Sequence, residues 1–162
     1  MRTKLIRASL ILTVMPTVAI CAACGADDTF GTYKLNLAQS SQTQAPMPKS
    51  LTVTREAANG AVKQTTTGEL ANGTAFYATY TSKHDGTDVP VTGNAPFDTI
   101  AVRSVDTNTL TDERRKKGGL YQAVGQTTFS NGGKTMTVAI KGTNADGKEF
   151  TQLLVFNKQQ AL

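Results

Sequence analysis

Apolar and polar residues alternate with a period of two in several stretches of the chain. Met136, Val138 and Ile140 alternate with small or polar residues, and the stretches around Tyr33 and Phe150 show the same spacing. Successive side chains of a β-strand point to opposite faces, so this period predicts strands with one face on a core.

Five Asn-Gly or Asp-Gly dipeptides lie between these stretches, beginning at Asn59, Asn72, Asp85, Asn131 and Asp146. Both dipeptides tolerate the positive φ of two-residue hairpin turns, so each predicts a chain reversal. The strands predicted between the turns are approximately 31–37, 50–57, 61–69, 73–82, 87–92, 98–105, 108–115, 119–129, 134–142 and 148–157.

A sheet of this kind most simply avoids exposed edges by closing on itself. We therefore expect an all-β fold, an antiparallel up-and-down meander barrel of about 8–10 strands. Residues 111–117 are the one stretch with helical potential. We interpret the charged run 112–117 as a solvated strand end or loop, with an electrostatic docking role as the alternative.

Composition supports this fold class and weakens one functional class. Charged residues make up 18% and aromatic residues 6%, with 14 Gly and no Trp, which argues against helical bundles and coiled coils. The formal net charge is +5, but three basic residues lie in the first 23 positions; residues 24–162 hold 14 basic and 12 acidic groups. A net charge of +2 exerts little long-range attraction on phosphates, so we expect no nucleic-acid partner.

The N-terminus has the pattern of a secretory signal peptide. A basic start, residues 1–7, precedes 13 mostly apolar residues, 8–20, and then small residues. The apolar stretch is shorter than the roughly 20 residues that a membrane-spanning helix needs. We assign residues 1–23 to the signal peptide; a buried N-terminal helix is the competing interpretation.

Both cysteines follow this stretch, at Cys21 and Cys24. The segment resembles a bacterial lipoprotein signal, in which small residues precede a lipid-modified cysteine. Ala22 and Ala23 precede Cys24, so the resemblance implies lipid attachment at Cys24, a tether over residues 24–29 and a single barrel domain over 30–162. It also implies a periplasmic or outer-membrane lipoprotein. Simple cleavage, giving a soluble periplasmic or secreted protein, is the alternative.

The first predicted strand carries a family resemblance. Residues 30–36, with Gly31 followed by Tyr33, resemble the opening strand of the calycin superfamily, the lipocalins and their relatives, which has Trp at the position of Tyr33. Residues 91–101 and 142–148 are similar to uncharacterised exported bacterial domains of this lipocalin-like kind. The resemblance implies a meander barrel with an apolar interior and no particular ligand, because the fold serves many functions.

Motifs for catalysis or metal binding are absent from the sequence. The single histidine, His84, lies in a predicted turn, and one histidine does not make a zinc site. No nucleophile elbow, phosphate loop or dinucleotide fingerprint is present, and the carboxylate pairs border turns. We therefore nominate no catalytic residue, no metal ligand and no cofactor.

Residues that could line a barrel interior are more numerous. The candidates for a ligand-cavity wall are Tyr33, Phe76, Tyr80, Val102, Val124, Met136, Val138 and Phe156. The leading hypothesis is a non-enzymatic module that binds a small apolar or amphipathic ligand. The alternatives are a structural or interaction protein of the cell envelope with a packed barrel, and a barrel enzyme of the cyclase or isomerase type.

Overall fold

The computed structural model describes residues 27–160, which form one antiparallel sheet. Two 3-10 helices, Asp27–Thr29 and Leu37–Gln39, flank the first strand. The strands are β1 Gly31–Leu35, β2 Ser41–Gln42, β3 Ser50–Ala58, β4 Ala61–Glu69, β5 Ala75–Ser82, β6 Asp85–Pro90, β7 Thr92–Gly93, β8 Thr99–Ser104, β9 Thr109–Arg115, β10 Gln122–Ser130, β11 Thr135–Thr143 and β12 Glu149–Lys158.

The strands follow one another around a nearly closed barrel. The order is β6-β8-β9-β10-β11-β12-β1-β3-β4-β5-β7, with the short β2 added beside β12. One residue, Val91, separates β6 from β7. Because β6 pairs with β8 and β7 pairs with β5, this stretch of chain joins the two ends of the sheet. The predicted all-β meander barrel is confirmed.

Turn chemistry places most of the hairpins where the dipeptides predict them. Asn59 and Gly60 both have positive φ and connect β3 to β4. The flanking residues, Ala58 at the end of β3 and Ala61 at the start of β4, are register partners. The turn predicted at Asp85 is wrong by one or two residues. The chain reverses at Lys83 and His84, and Asp85 already pairs with β8, ahead of an irregularity in register.

The segment with helical potential, residues 111–117, lies largely in strand β9. Hydrogen bonding to β8 on one side and β10 on the other gives its backbone groups partners that outweigh a weak helical preference. Its side chains alternate: Leu110 and Asp112 are buried, whereas Glu113 and Arg115 are exposed. The interpretation of the whole charged run as solvated is therefore wrong for Asp112.

The alternation predicted from the sequence is present in the core. Met136, Val138 and Ile140 are buried on one face of β11. Ile100 and Val102 are likewise buried on the inward face of β8, and Arg103, on the outward face, is exposed. The interior faces of the strands together form one hydrophobic core.

One end of the barrel is closed around Tyr33, which is fully buried. Its hydroxyl donates a hydrogen bond to the carbonyl oxygen of Gly133 at 2.9 Å, and the carbonyl oxygen of Asp28, at 3.3 Å, is a second, weaker acceptor for the same proton. Lys158 Nζ lies 5.9 Å from the Tyr33 ring centre and donates to the Asp28 carbonyl at 2.8 Å. Asp28 and Thr29, predicted to be part of a tether, thus accept hydrogen bonds from the closed end through their carbonyl oxygens.

Within residues 27–160, no helix combines the length and hydrophobicity required to cross a bilayer. The predicted signal peptide and Cys24 lie outside the described residues.

Candidate ligand-binding cavity

The barrel interior contains a cavity of about 730 Å³. This volume lies within the range of about 300–1,000 Å³ that is usual for small-molecule sites. Its wall is formed by inward-facing apolar side chains from strands on all sides of the barrel. They include Val53, Phe76, Ala78, Ile100, Val102, Met136, Leu154 and Phe156.

Four loops surround the end of the cavity opposite Tyr33. They lie between β2 and β3, β4 and β5, β7 and β8, and β11 and β12, and they contribute the exposed residues Pro46, Asn72, Pro96 and Asp146. Because these residues are exposed and also line the cavity, this end is its mouth. The Arg55 end is its floor.

Six of the eight residues predicted to form a cavity wall lie on it. These are Phe76, Tyr80, Val102, Met136, Val138 and Phe156. Tyr33 is buried in the closed end instead, where backbone carbonyls bind its hydroxyl. The structure therefore brings most of the predicted set together, although their role toward a ligand stays a prediction.

Val124 lies on the outer surface and is 46% exposed, so its placement in the cavity wall is wrong. The inward positions of β10 are its neighbours Ala123 and Gly125, followed by Thr127. These three inward residues are small or polar, so the only large hydrophobic marker of the inward face of β10 is Phe129, near the end of the strand. Because Val124 is apolar, the sequence pattern predicts it to face the interior, although it faces outward.

Two residues of the charged run, Asp112 and Arg114, which the sequence pattern predicts to be solvated, line the cavity. Arg114 Nε donates to Asp112 Oδ1 at 2.6 Å, and Nη2 donates to Oδ2 at 3.2 Å. Both side chains are largely buried, so this is a buried bidentate ion pair. Gly125 is the register partner of Asp112, and a Cβ there would overlap the Asp112 carboxylate.

The Asp112 carboxylate stabilises the charged form of Arg114 against the cost of burial. Burial opposes the charged guanidinium, but the charge and hydrogen bonds of Asp112, with smaller contributions from Tyr121 and Tyr80, raise the pKa of Arg114 above its ordinary value. The guanidinium carbon also lies 5.4 Å from the Phe97 ring centre. The pair is fixed, charged and internally neutral.

Arg55 lies at the floor, on the inward face of β3, and is 3% exposed. Its Nε donates to the Thr29 carbonyl at 3.1 Å and its Nη1 to Gln64 Oε1 at 2.7 Å. Its guanidinium carbon lies 4.9 Å from the centre of the Phe129 ring. Burial lowers the pKa of Arg55, and the charge remains because arginine ionises far above neutral pH.

Two tyrosines add hydroxyl groups to the wall. Burial raises the pKa of Tyr80 to about 12, so its phenol is a hydrogen-bond donor at neutral pH. Burial also raises the pKa of Tyr121, whose ring stacks on Phe97 at 5.7 Å near the mouth. The cavity is thus an apolar chamber with a few fixed polar groups, which is the usual composition of a small-molecule site.

The sequence analysis missed Arg55, Asp112 and Arg114, although a signal for them exists. Arg55 is two residues from the buried Val53, and Asp112 is two residues from the buried Leu110. Residues i and i+2 of a strand share a face, so the alternation that located the apolar wall also locates these charges.

Comparison with known proteins adds no assignment: the sequence matches no protein-family model and no curated protein. Among residues 27–160, no group of three or more His, Cys, Asp or Glu side chains is arranged to hold a metal ion.

Proposed function

We propose that this protein is a lipocalin-like binding module that holds a small amphipathic molecule inside its barrel. The observation that carries the proposal is the cavity of about 730 Å³, lined by apolar side chains and a few polar groups. Burial of apolar ligand surface supplies the affinity, at about 25 cal/mol per Å² removed from water.

The cavity favours binding over the purely structural alternative, because a barrel serving only as a scaffold needs no internal space. The polar groups of the cavity also favour binding over the cyclase or isomerase alternative. Both oxygens of the interior carboxylate of Asp112 already accept hydrogen bonds from Arg114, so this carboxylate is poorly placed to take a proton from a substrate.

Titration of the purified protein with an apolar fluorescent probe tests the proposal. We expect saturable binding that changes little with salt concentration, because burial rather than surface charge drives it. A folded sample that binds no probe would overturn the carrier function.

We further propose that the protein is exported and anchored to the bacterial envelope by lipid on Cys24. Support comes from the signal-like leader and from Ala22 and Ala23 before Cys24. Lipidation also removes a thiol that would otherwise be open to oxidation in an exported protein.

Membrane fractionation of cells expressing the full chain tests the anchor. Cys24→Ala should move the protein to the soluble fraction, whereas the matched change Cys21→Ala should leave it with the membranes. Wild-type protein that is soluble and unmodified by mass spectrometry contradicts the anchor and supports simple export.

A further inference from the structure

Arg55 is a buried cation whose charge is not matched by a carboxylate. Its two hydrogen-bond acceptors, the Thr29 carbonyl and the Gln64 amide oxygen, are neutral. Within residues 27–160, Arg55 belongs to none of the ion pairs. Buried charges in proteins are ordinarily paired, so this floor has one uncompensated positive charge.

The other charges of the cavity do not offset this one. Arg114 is paired through two hydrogen bonds with Asp112, so the two contribute no net charge. Asp146 lies on an exposed loop at the mouth, where solvent screens it. The interior therefore carries a net charge close to +1, located at its deepest point.

Tyr80 supplies a second donor to the floor. It lines the cavity on the inward face of β5 and is only partly buried. No hydrogen bond joins its hydroxyl to residues 27–160, and no fully buried side-chain oxygen there lacks a partner, so this hydroxyl is accessible from the cavity. Gln64 is the register partner of both Arg55 on β3 and Tyr80 on β5, so the three residues lie in one row across neighbouring strands. An anion at this point would accept a charge-assisted hydrogen bond from Arg55 and a neutral hydrogen bond from the Tyr80 hydroxyl.

Resting on the proposed function, we propose that the ligand is an amphipathic carboxylate that enters head first. Its carboxylate is bound at the floor by Arg55 and Tyr80, and its apolar tail extends toward the mouth along residues such as Val102 and Leu154. The alternative anchoring point, Arg114, is already occupied by the Asp112 carboxylate.

A matched pair of probes tests the inference: cis-parinaric acid and its uncharged methyl ester, titrated at pH 8 by fluorescence. If the floor recognises the anion, the wild-type protein should bind the acid about tenfold to a hundredfold more tightly than the ester. Arg55→Met should reduce the affinity for the acid to that for the ester, with little effect on the ester. Arg103→Met, an exposed arginine on the outer face of β8, should leave the preference unchanged.

Tyr80→Phe provides a second variant that keeps the ring and removes only the hydroxyl. It should weaken acid binding by about threefold to tenfold and leave ester binding unchanged. Equal affinity of the wild-type protein for the acid and the ester overturns the inference and leaves the proposed function standing. Failure of both probes to bind overturns the proposed function as well.

Discussion

At the scale of single residues, the Asp112–Arg114 pair shows how the barrel accommodates charge in its interior. The bidentate geometry satisfies both carboxylate oxygens, and Gly125 on the neighbouring strand leaves the space that the carboxylate fills. The pair on the opposite face of the same strand, Glu113 and Arg115, is about half exposed and therefore screened by solvent.

These two pairs predict different responses to truncation. Asp112→Ala should lower the free energy of unfolding by about 3–5 kcal/mol, because it leaves the Arg114 charge buried and uncompensated. Glu113→Ala, the matched change on the outer face, should cost about 1 kcal/mol or less. Urea unfolding followed by circular dichroism measures both. Similar losses in the two variants would show that Asp112 is not buried as the structure places it.

Residue chemistry also explains what sequence reasoning could locate in the cavity. Hydrophobic residues such as Val102 and Met136 were assigned to the wall because apolar side chains favour the interior. Arg55 and Arg114 were not, because an isolated charge is assumed to face water unless a partner is known. The partner of Arg114, Asp112, is two residues away on the same strand face, so applying the period of two to charged as well as apolar residues pairs them.

At the scale of elements, the strands and most of the turns were predictable because each rests on local chemistry. Asn-Gly and Asp-Gly supply positive φ, and period-two alternation defines a buried face. β9 and β10 were harder to interpret. β9 carries charges on both faces. β10 presents the small Ala123 and Gly125 inward, and its one large inward side chain, Phe129, lies near the end of the strand, so the local pattern is weak.

Strand β11 offers a direct test of alternation. Val138→Asp should lower the free energy of unfolding by about 3 kcal/mol or more, because it introduces a charge into the apolar wall. The adjacent Thr137 lies on the opposite face, so Thr137→Asp should cost about 1 kcal/mol or less. Thermal and urea unfolding of both variants should separate them clearly; if the two lose equal stability, the assigned faces are wrong.

At the scale of the whole molecule, closure of the sheet and function are connected. The bend between β6 and β7 lets one stretch of chain pair with both ends of the sheet. The closed end is filled by Tyr33, whose hydroxyl lies against the Asp28 carbonyl, and loops surround the other end. A chamber with one mouth, an apolar wall and polar groups at the floor follows from this arrangement.

The most direct test of ligand binding inside this chamber uses two alanines of β5. Ala78 is buried on the cavity wall, and Ala75 is exposed on the same strand. Ala78→Trp should fill part of the cavity; the loss of about 60 Å² of apolar contact would weaken the binding of an apolar fluorescent probe about tenfold. Ala75→Trp should leave the affinity unchanged. If both folded variants bind the probe as the wild-type protein does, the ligand does not occupy the barrel interior.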